Sequence, residues 1–295
     1  IKGCEMTQNE LIKKIQDAVL SMMSRVKFSE DGHTYQDQLT GEYLQGVSTV
    51  SSIIPKDWLS AWGAKEAVKA LGYSDFPDDT ETALRVWAQI KECKTVDGYI
   101  ALLKEAKDAS SRKGKTALVD GKAGHLLLEA YVLAKIRGTA LPEIPKGTLY
   151  RPITQFIEWE KREVKTWILS EARIAYPAKG YAGTLDAMAI MVDDKLAVVD
   201  FKFASHISKD YFLQCAGYQA TFEPYDIKVD ERIIVRLPKT LTIQEWDKKT
   251  HTYSMIENII EICYVPTNYE MDRDVFFACL PVKRWINLVT KMGGD

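Results

Sequence analysis

The chain has 295 residues, 46% of them hydrophobic and 27% charged, with a formal net charge of −2. That composition belongs to an ordinary globular protein and gives no global basic signature, so any nucleic-acid contact must rest on a local patch. No apolar run approaches the roughly 20 residues of a membrane helix and no signal peptide is visible, which predicts a cytoplasmic protein with no membrane partner. Cys4, Cys93, Cys215, Cys263 and Cys279 are scattered and never spaced as Cys-x-x-Cys. A disulfide framework, a zinc site and an iron–sulfur cluster are therefore not expected.

Taken in order, residues 9–24 have helical spacing through Leu11, Ile15, Val19 and Met22 and read as a peripheral helix. Val26–Phe28 and His33–Tyr35 flank Glu30-Asp-Gly and read as a small hairpin, with His33 a surface or strand histidine rather than a ligand. Val47-Ser-Thr-Val-Ser-Ser-Ile-Ile54 sets hydroxyls ahead of an apolar pair, as at a capped helix start. Amides and hydroxyls at such a start also bind phosphate, so Thr49 and Ser51 are candidates for either role. After Pro55, helices are predicted over 57–71 (with Trp58 and Trp62), 80–93 and 97–110. Residues 1–110 thus read as a mostly helical N-terminal section and 111–295 as the core, the two forming one continuous structural unit. Lys104, Lys107, Arg112, Lys113, Lys115 and Lys122 form a basic stretch, by default a solvated helix surface. Gly114-Lys-Thr116 is not a phosphate-binding loop, because Ala109 stands where the first glycine is required.

A long helix to about Arg137 carries His125 and Glu129, four apart on one face and flanked by Leu126, Leu127 and Leu128. An amphipathic helix is predicted over 151–168 and a strand over 170–176, opening on Glu171. Two apolar strands over 182–192 and 196–203 are joined by Asp193-Asp-Lys195, which makes an antiparallel hairpin. Asp186, early in the first, then lies beside Asp200, late in the second, and Lys202 shares a face with Asp200. The tripeptide alone carries no weight, since it recurs at Glu92-Cys-Lys94 and Glu163-Val-Lys165. What distinguishes Asp200 is the apolar strand leading into it and the second acid across the turn. Buried carboxylates are costly unless neutralised, so the cluster reads either as a hard-cation site or as a strand-end salt bridge. A helix over 208–222 puts Gln214 and Tyr218 on one face. Strands are predicted over 232–237 and 241–246, and helices near 253–263 and 282–291.

In this order, Gly121-x-x-x-His125-x-x-x-Glu129, Gly183-Thr-Leu-Asp186, Val199-Asp200-Phe-Lys202 and Gln214-x-x-x-Tyr218 resemble the motifs of the PD-(D/E)XK nuclease superfamily, RecB-like branch. Thr49-Val-Ser51 followed by Leu59-Ser-Ala-Trp62 is similar to a segment of the mitochondrial genome maintenance exonuclease and related phage exonucleases. The resemblance covers about residues 45–65 and 115–223. It implies an α/β, restriction-endonuclease-like core with a mixed central sheet flanked by helices, plus a helical N-terminal section walling the DNA path. It further implies Mg²⁺ or Mn²⁺ held by His125, Asp186, Asp200 and the Phe201 carbonyl. Lys202 would then position the attacking water or stabilise the transition state. Glu171 holds a second metal through water or is an exposed strand-end acid, and Glu129 stands behind the ligands. Thr49, Ser51, Trp62, Arg112 and Lys113 fall on the implied DNA path, while Gln214 and Tyr218 orient Lys202, touch DNA or simply pack the helix. The implied function is a metal-dependent DNA exonuclease acting on single strands or free ends in recombination, repair or phage DNA processing. A phage-encoded protein would work in the host cytoplasm, with a single-strand annealing or binding protein as a further partner. The alternatives are an open-cleft endonuclease and a DNA-binding or assembly subunit that keeps the fold without useful catalysis.

Overall fold

The computed structural model describes residues 6–32, 34–74, 80–247 and 252–293, so Cys4 and His33 lie outside the described residues. By contact the chain divides into two compact units, residues 1–54 with 123–295, and residues 55–122. The first helix is not peripheral: its apolar stripe packs into the central core. There Ile15, Ala18, Val19 and Met22 are buried among Ile168, Ile174 and Phe222.

The larger unit opens with α1 (Gln8–Arg25), β1 (Val26–Ser29), β2 (Thr34–Asp37), β3 (Tyr43–Gly46) and the short α2 (Val47–Ser51). Helix α1 starts in a reciprocal cap, with the Glu10 N–H donating to Thr7 Oγ1 at 3.3 Å and the Thr7 N–H to the Glu10 carboxylate at 2.7 Å. The smaller unit holds α3 (Asp57–Ala70), α4 (Glu81–Glu92), α5 (Val96–Lys107) and the first part of α6 (Ala109–Arg137). The larger unit resumes in α6 and continues through α7 (Tyr150–Glu163), β4 (Val164–Tyr176), β5 (Tyr181–Met191), β6 (Leu196–Phe203), α8 (Lys209–Ala220) and β7 (Glu231–Leu237). It ends with β8 (Thr242–Asp247), β9 (Thr252–Glu257), β10 (Glu261–Tyr264) and α9 (Tyr269–Lys291).

The main sheet runs β1-β2-β3-β5-β6-β7-β10, with β4 antiparallel along β5, while β8 and β9 form a separate hairpin. It is mixed, since β5 and β6 are antiparallel and β6 and β7 parallel. One face packs residues of α1, α8 and α9 (Val19, Leu213, Phe276) and the other residues of α6 and α7 (Leu128, Val132, Phe156). Strand β6 feeds both layers, Leu196 and Val198 on one side and Ala197, Val199, Phe201 and Phe203 on the other. That two-sided burial is why it reads as a continuous apolar run. The architecture is α/β, a mixed central sheet flanked by helices. No helix among the described residues is long and apolar enough to cross a membrane.

Three elements differ from their sequence expectation. The helix predicted to 168 ends at Glu163, and β4 takes over from Val164. Register shifts between Val164 and Thr166 and between Trp167 and Leu169 break the two-residue alternation that would have revealed the strand. The helix expected near 253–263 is replaced by β9 and β10, because Ile262 and Cys263 pair with the edge of β7 at Val235 and Ile234. The last helix begins at Tyr269 rather than 282, capped by Asn268 and anchored by Phe276 and Leu280, and it runs on through Pro281.

Candidate active site

The site grows from the β5–β6 turn. Asp194 adopts a left-handed backbone (φ 67°), the Lys195 carbonyl accepts the Met191 N–H at 2.9 Å, and pairing runs from Ile190↔Leu196 to Ala187↔Val199. One step beyond that last pair, Asp186 falls against Asp200. On the other side of β5, the pairs Ser170↔Ala187 and Ala172↔Leu185 bracket Glu171 opposite Asp186. Three acids therefore stand in one row across β4, β5 and β6. Here the Asp186 carboxylate takes the place of a strand partner, accepting the Phe201 N–H at 2.7 Å. Glu171 has φ 46°, a strained conformation for a residue with a side chain, whereas Asp194 and Asp226, with similar values, sit in turns. Such strain costs about 1–3 kcal/mol and persists only where the surroundings over-determine it.

From α6, His125 closes the group. Its Nδ1 is 3.9 Å from Asp186 Oδ2, and the ligand atoms of His125, Glu171 and Asp186 all lie within 4.8 Å of one another. Asp200 is 0% exposed. Lys202 Nζ lies 2.6 Å from its Oδ2 in a close ion pair, and its buried Oδ1 has no hydrogen-bond partner. Buried carboxylates left in this state are costly.

The electrostatics follow from crowding. Burial lifts the Glu171 carboxyl to about 8, aided by the charges of Asp186, Glu129 and Asp200. Burial also raises Asp186 and Asp200, with Lys202 opposing both. For Lys202 burial works against the charge, but Asp200 and Asp186 outweigh it and hold the ammonium protonated. His125 is lowered by burial and by Lys202, which keeps the imidazole neutral and able to donate a lone pair. Glu129 is half-buried and acts here through its charge.

Helix α6 reaches the sheet because of Gly124. A Cβ at that position would lie 2.2 Å from the Phe203 ring, and the His125 ring meets Phe203 edge-on at 5.4 Å. Farther along, Glu160 accepts the Tyr131 hydroxyl and the Trp167 indole N–H, each at 3.2 Å, and pairs with Lys135 at 2.9 Å. These contacts tie α6 to α7 and β4. Gly124→Ala is expected to cost about 1–3 kcal/mol by overpacking, and adding Phe203→Leu should recover most of it. Urea unfolding of the single and double variants checks this; equal stability of Gly124→Ala and wild type would show that α6 is not seated by this contact.

The remaining candidates are placed as follows. Gln214 Nε2 donates to the Tyr218 hydroxyl at 2.8 Å, both residues are buried, and Tyr218 lies over Gly183, so they pack α8 on the sheet. The Tyr218 phenol is raised by burial and by the charges of Asp200 and Asp186. In α2 the cap position is Gly46 and no hydroxyl caps the helix. Ser51 is buried and donates to the Ser48 carbonyl at 3.2 Å, Ser52 donates to that of Thr49 at 2.8 Å, and Thr49 is exposed. The expected capping is thus replaced by hydroxyls bonding back to the preceding turn. In the smaller unit Trp62 is half-buried, Arg112 donates to the Glu105 carbonyl at 2.8 Å, and Lys113 pairs with the buried Glu66. Sequence reasoning missed Gly124, Phe203 and Tyr211, whose ring centroid is 5.1 Å from Lys202 Nζ. The available signal for Tyr211 was its spacing of three and seven residues from Gln214 and Tyr218, on one helical face. Comparison of the chain with protein-family models gave no match, and comparison with curated proteins gave none.

Proposed function

We propose that this chain is a divalent-metal-dependent nuclease of the PD-(D/E)XK type, in the RecB-like branch, and that it degrades DNA from free ends. One observation carries the reading. His125, Glu171 and Asp186 converge within 4.8 Å beside Asp200, whose buried Oδ1 lacks a hydrogen-bond partner. Carboxylate oxygens with one imidazole suit Mg²⁺ or Mn²⁺, and the nitrogen favours Mn²⁺. His125, Asp186 and Asp200 would hold the cation, with Glu171 within the same reach and the Phe201 carbonyl as a further donor. A cation there supplies positive charge to the phosphate and lowers the pKa of water.

The chain's own groups do the rest. Asp186, held by the Phe201 N–H, keeps one oxygen fixed in direction. Lys202 offers its ammonium to the negative charge that builds on the phosphate in the transition state. His125, neutral and braced against Phe203, contributes its lone pair without competing for a proton. DNA as substrate and the need for an end are supported by the motif likeness to exonucleases.

The test is Mn²⁺-dependent digestion of end-labelled linear single strands, linear duplex and closed single-stranded circles. Linear substrates should be degraded and circles left uncut. Efficient cutting of circles would replace the exonuclease reading with an endonuclease, and digestion of none of the three would overturn the nuclease reading.

A further inference from the structure

Helix α9 is supported by its own chain along only half its length. Its buried residues, Asp272, Phe276, Cys279 and Leu280, all fall before Pro281, and none from Pro281 to Lys291 is buried. A proline inside a helix removes a hydrogen bond, and a helical stretch of about ten residues is marginal in water without packing. The helix nevertheless continues past Pro281 to Lys291.

Away from the buried side runs a second apolar stripe. Met271, Val275, Ala278, Val282, Trp285 and Met292 are all exposed, Trp285 by 64% and Met292 by 78%. With the half-buried Val289 they recur in alternating steps of four and three residues along the whole helix. Apolar residues scattered singly on a surface keep no such period, whereas a helix packed along another helix requires it. Leu288, also exposed, widens the stripe beside Trp285. Charge identifies what covers it. The acids of α9, Glu270, Asp272 and Asp274, all lie in its first turns, while Lys283, Arg284 and Lys291 lie in its second half. Glu270, Asp274 and Lys291 fall along one flank of the stripe. A second α9 laid antiparallel sets the acidic end of each copy beside the basic end of the other and opposes the two helix dipoles. The same stripe then meets itself across a two-fold axis, a closed arrangement. It offers roughly 600 Å² per copy, so a pair reaches the total of about 1,200 Å² at which stable interfaces begin.

We propose that α9 is a dimerisation helix that pairs antiparallel with α9 of a second copy of this chain. The proposal does not depend on the nuclease reading.

The experiment is analytical ultracentrifugation of the full chain between about 1 and 100 µM, with circular dichroism to show that each variant is folded. Wild type should form dimers within this range. Trp285→Glu and Val282→Glu should each raise the dimer dissociation constant about thirtyfold or more with the helical signal unchanged, since both side chains are exposed in the single chain. Lys291→Glu should raise it about fivefold, and adding Glu270→Lys should recover most of that loss. Wild type that stays monomeric throughout would assign the stripe to a different partner and overturn the proposal. A dimer indifferent to both Trp285→Glu and Val282→Glu would place the interface elsewhere and overturn it as well. A double variant no tighter than Lys291→Glu alone would overturn the antiparallel arrangement.

Discussion

Asp200→Asn is expected to lower cleavage by about three orders of magnitude or more while leaving the protein as stable as wild type, or more so. The residue is 0% exposed, its Oδ1 has no hydrogen-bond partner, and it shares the single Lys202 ammonium with Asp186, so the charge serves cation binding at the expense of the fold. An amide of the same shape removes that buried charge. Lys202→Ala should be equally inactive but less stable, by about 3 kcal/mol, because it strips the balancing charge from a buried acid. From sequence both residues read as strand-end groups whose replacement leaves the fold intact. The burial of Asp200 and the near-burial of Lys202 correct that expectation for the lysine. Urea unfolding alongside end-label digestion separates the two variants. Near-wild-type turnover by Asp200→Asn would remove the residue from the site, and equal stability of both would refute the buried-charge account.

The second large effect is the dependence of metal stabilisation on pH. The Glu171 carboxyl moves from an ordinary 4.5 to about 8 in the folded protein, and Asp186 and Asp200 are raised as well. For acids shifted upward, the stabilisation is fully present below the ordinary value and is lost as pH climbs through the folded-state value. The metal-free protein should therefore lose stability between about pH 4.5 and pH 8. A cation requires the ionised carboxylates, so its benefit grows across the same window. At a hundredfold excess over Kd the gain is about 2.7 kcal/mol, equivalent to about 5–10 °C in Tm at pH 8, and it should be much smaller at pH 5. His125→Ala should keep less than about half of it, since one of the ligands is gone. Differential scanning fluorimetry with Mn²⁺ at the two pH values checks this. A gain independent of pH would mean that these carboxyls do not take part in binding.

The central hairpin was legible because its turn is short and its strands are apolar on both faces, which forces Asp186 and Asp200 into register. His125 was legible from its place on a helix with Glu129. Glu171 was only half legible. Its position opposite Asp186 depends on irregular pairing along β4, and its left-handed backbone depends on neighbours that no local pattern encodes. Gln214 and Tyr218 lie on one helical face as spacing predicts, but which way that face turned was a tertiary fact. It is turned inward, and it brings Tyr211 to Lys202. The β10 strand was hidden because its identity comes from the edge of β7 that it completes. Gly124 gives no local helical signal at all, since its reason lies in the Phe203 ring some eighty positions away.

The most direct measurement is anomalous X-ray diffraction from crystals of the full chain soaked in Mn²⁺. A manganese peak bonded to His125 and Asp186, with Asp200 or Glu171 completing the coordination, is the predicted result. A well-occupied peak elsewhere with none at this cluster, in protein that remains folded, would contradict a metal-dependent centre built on these residues.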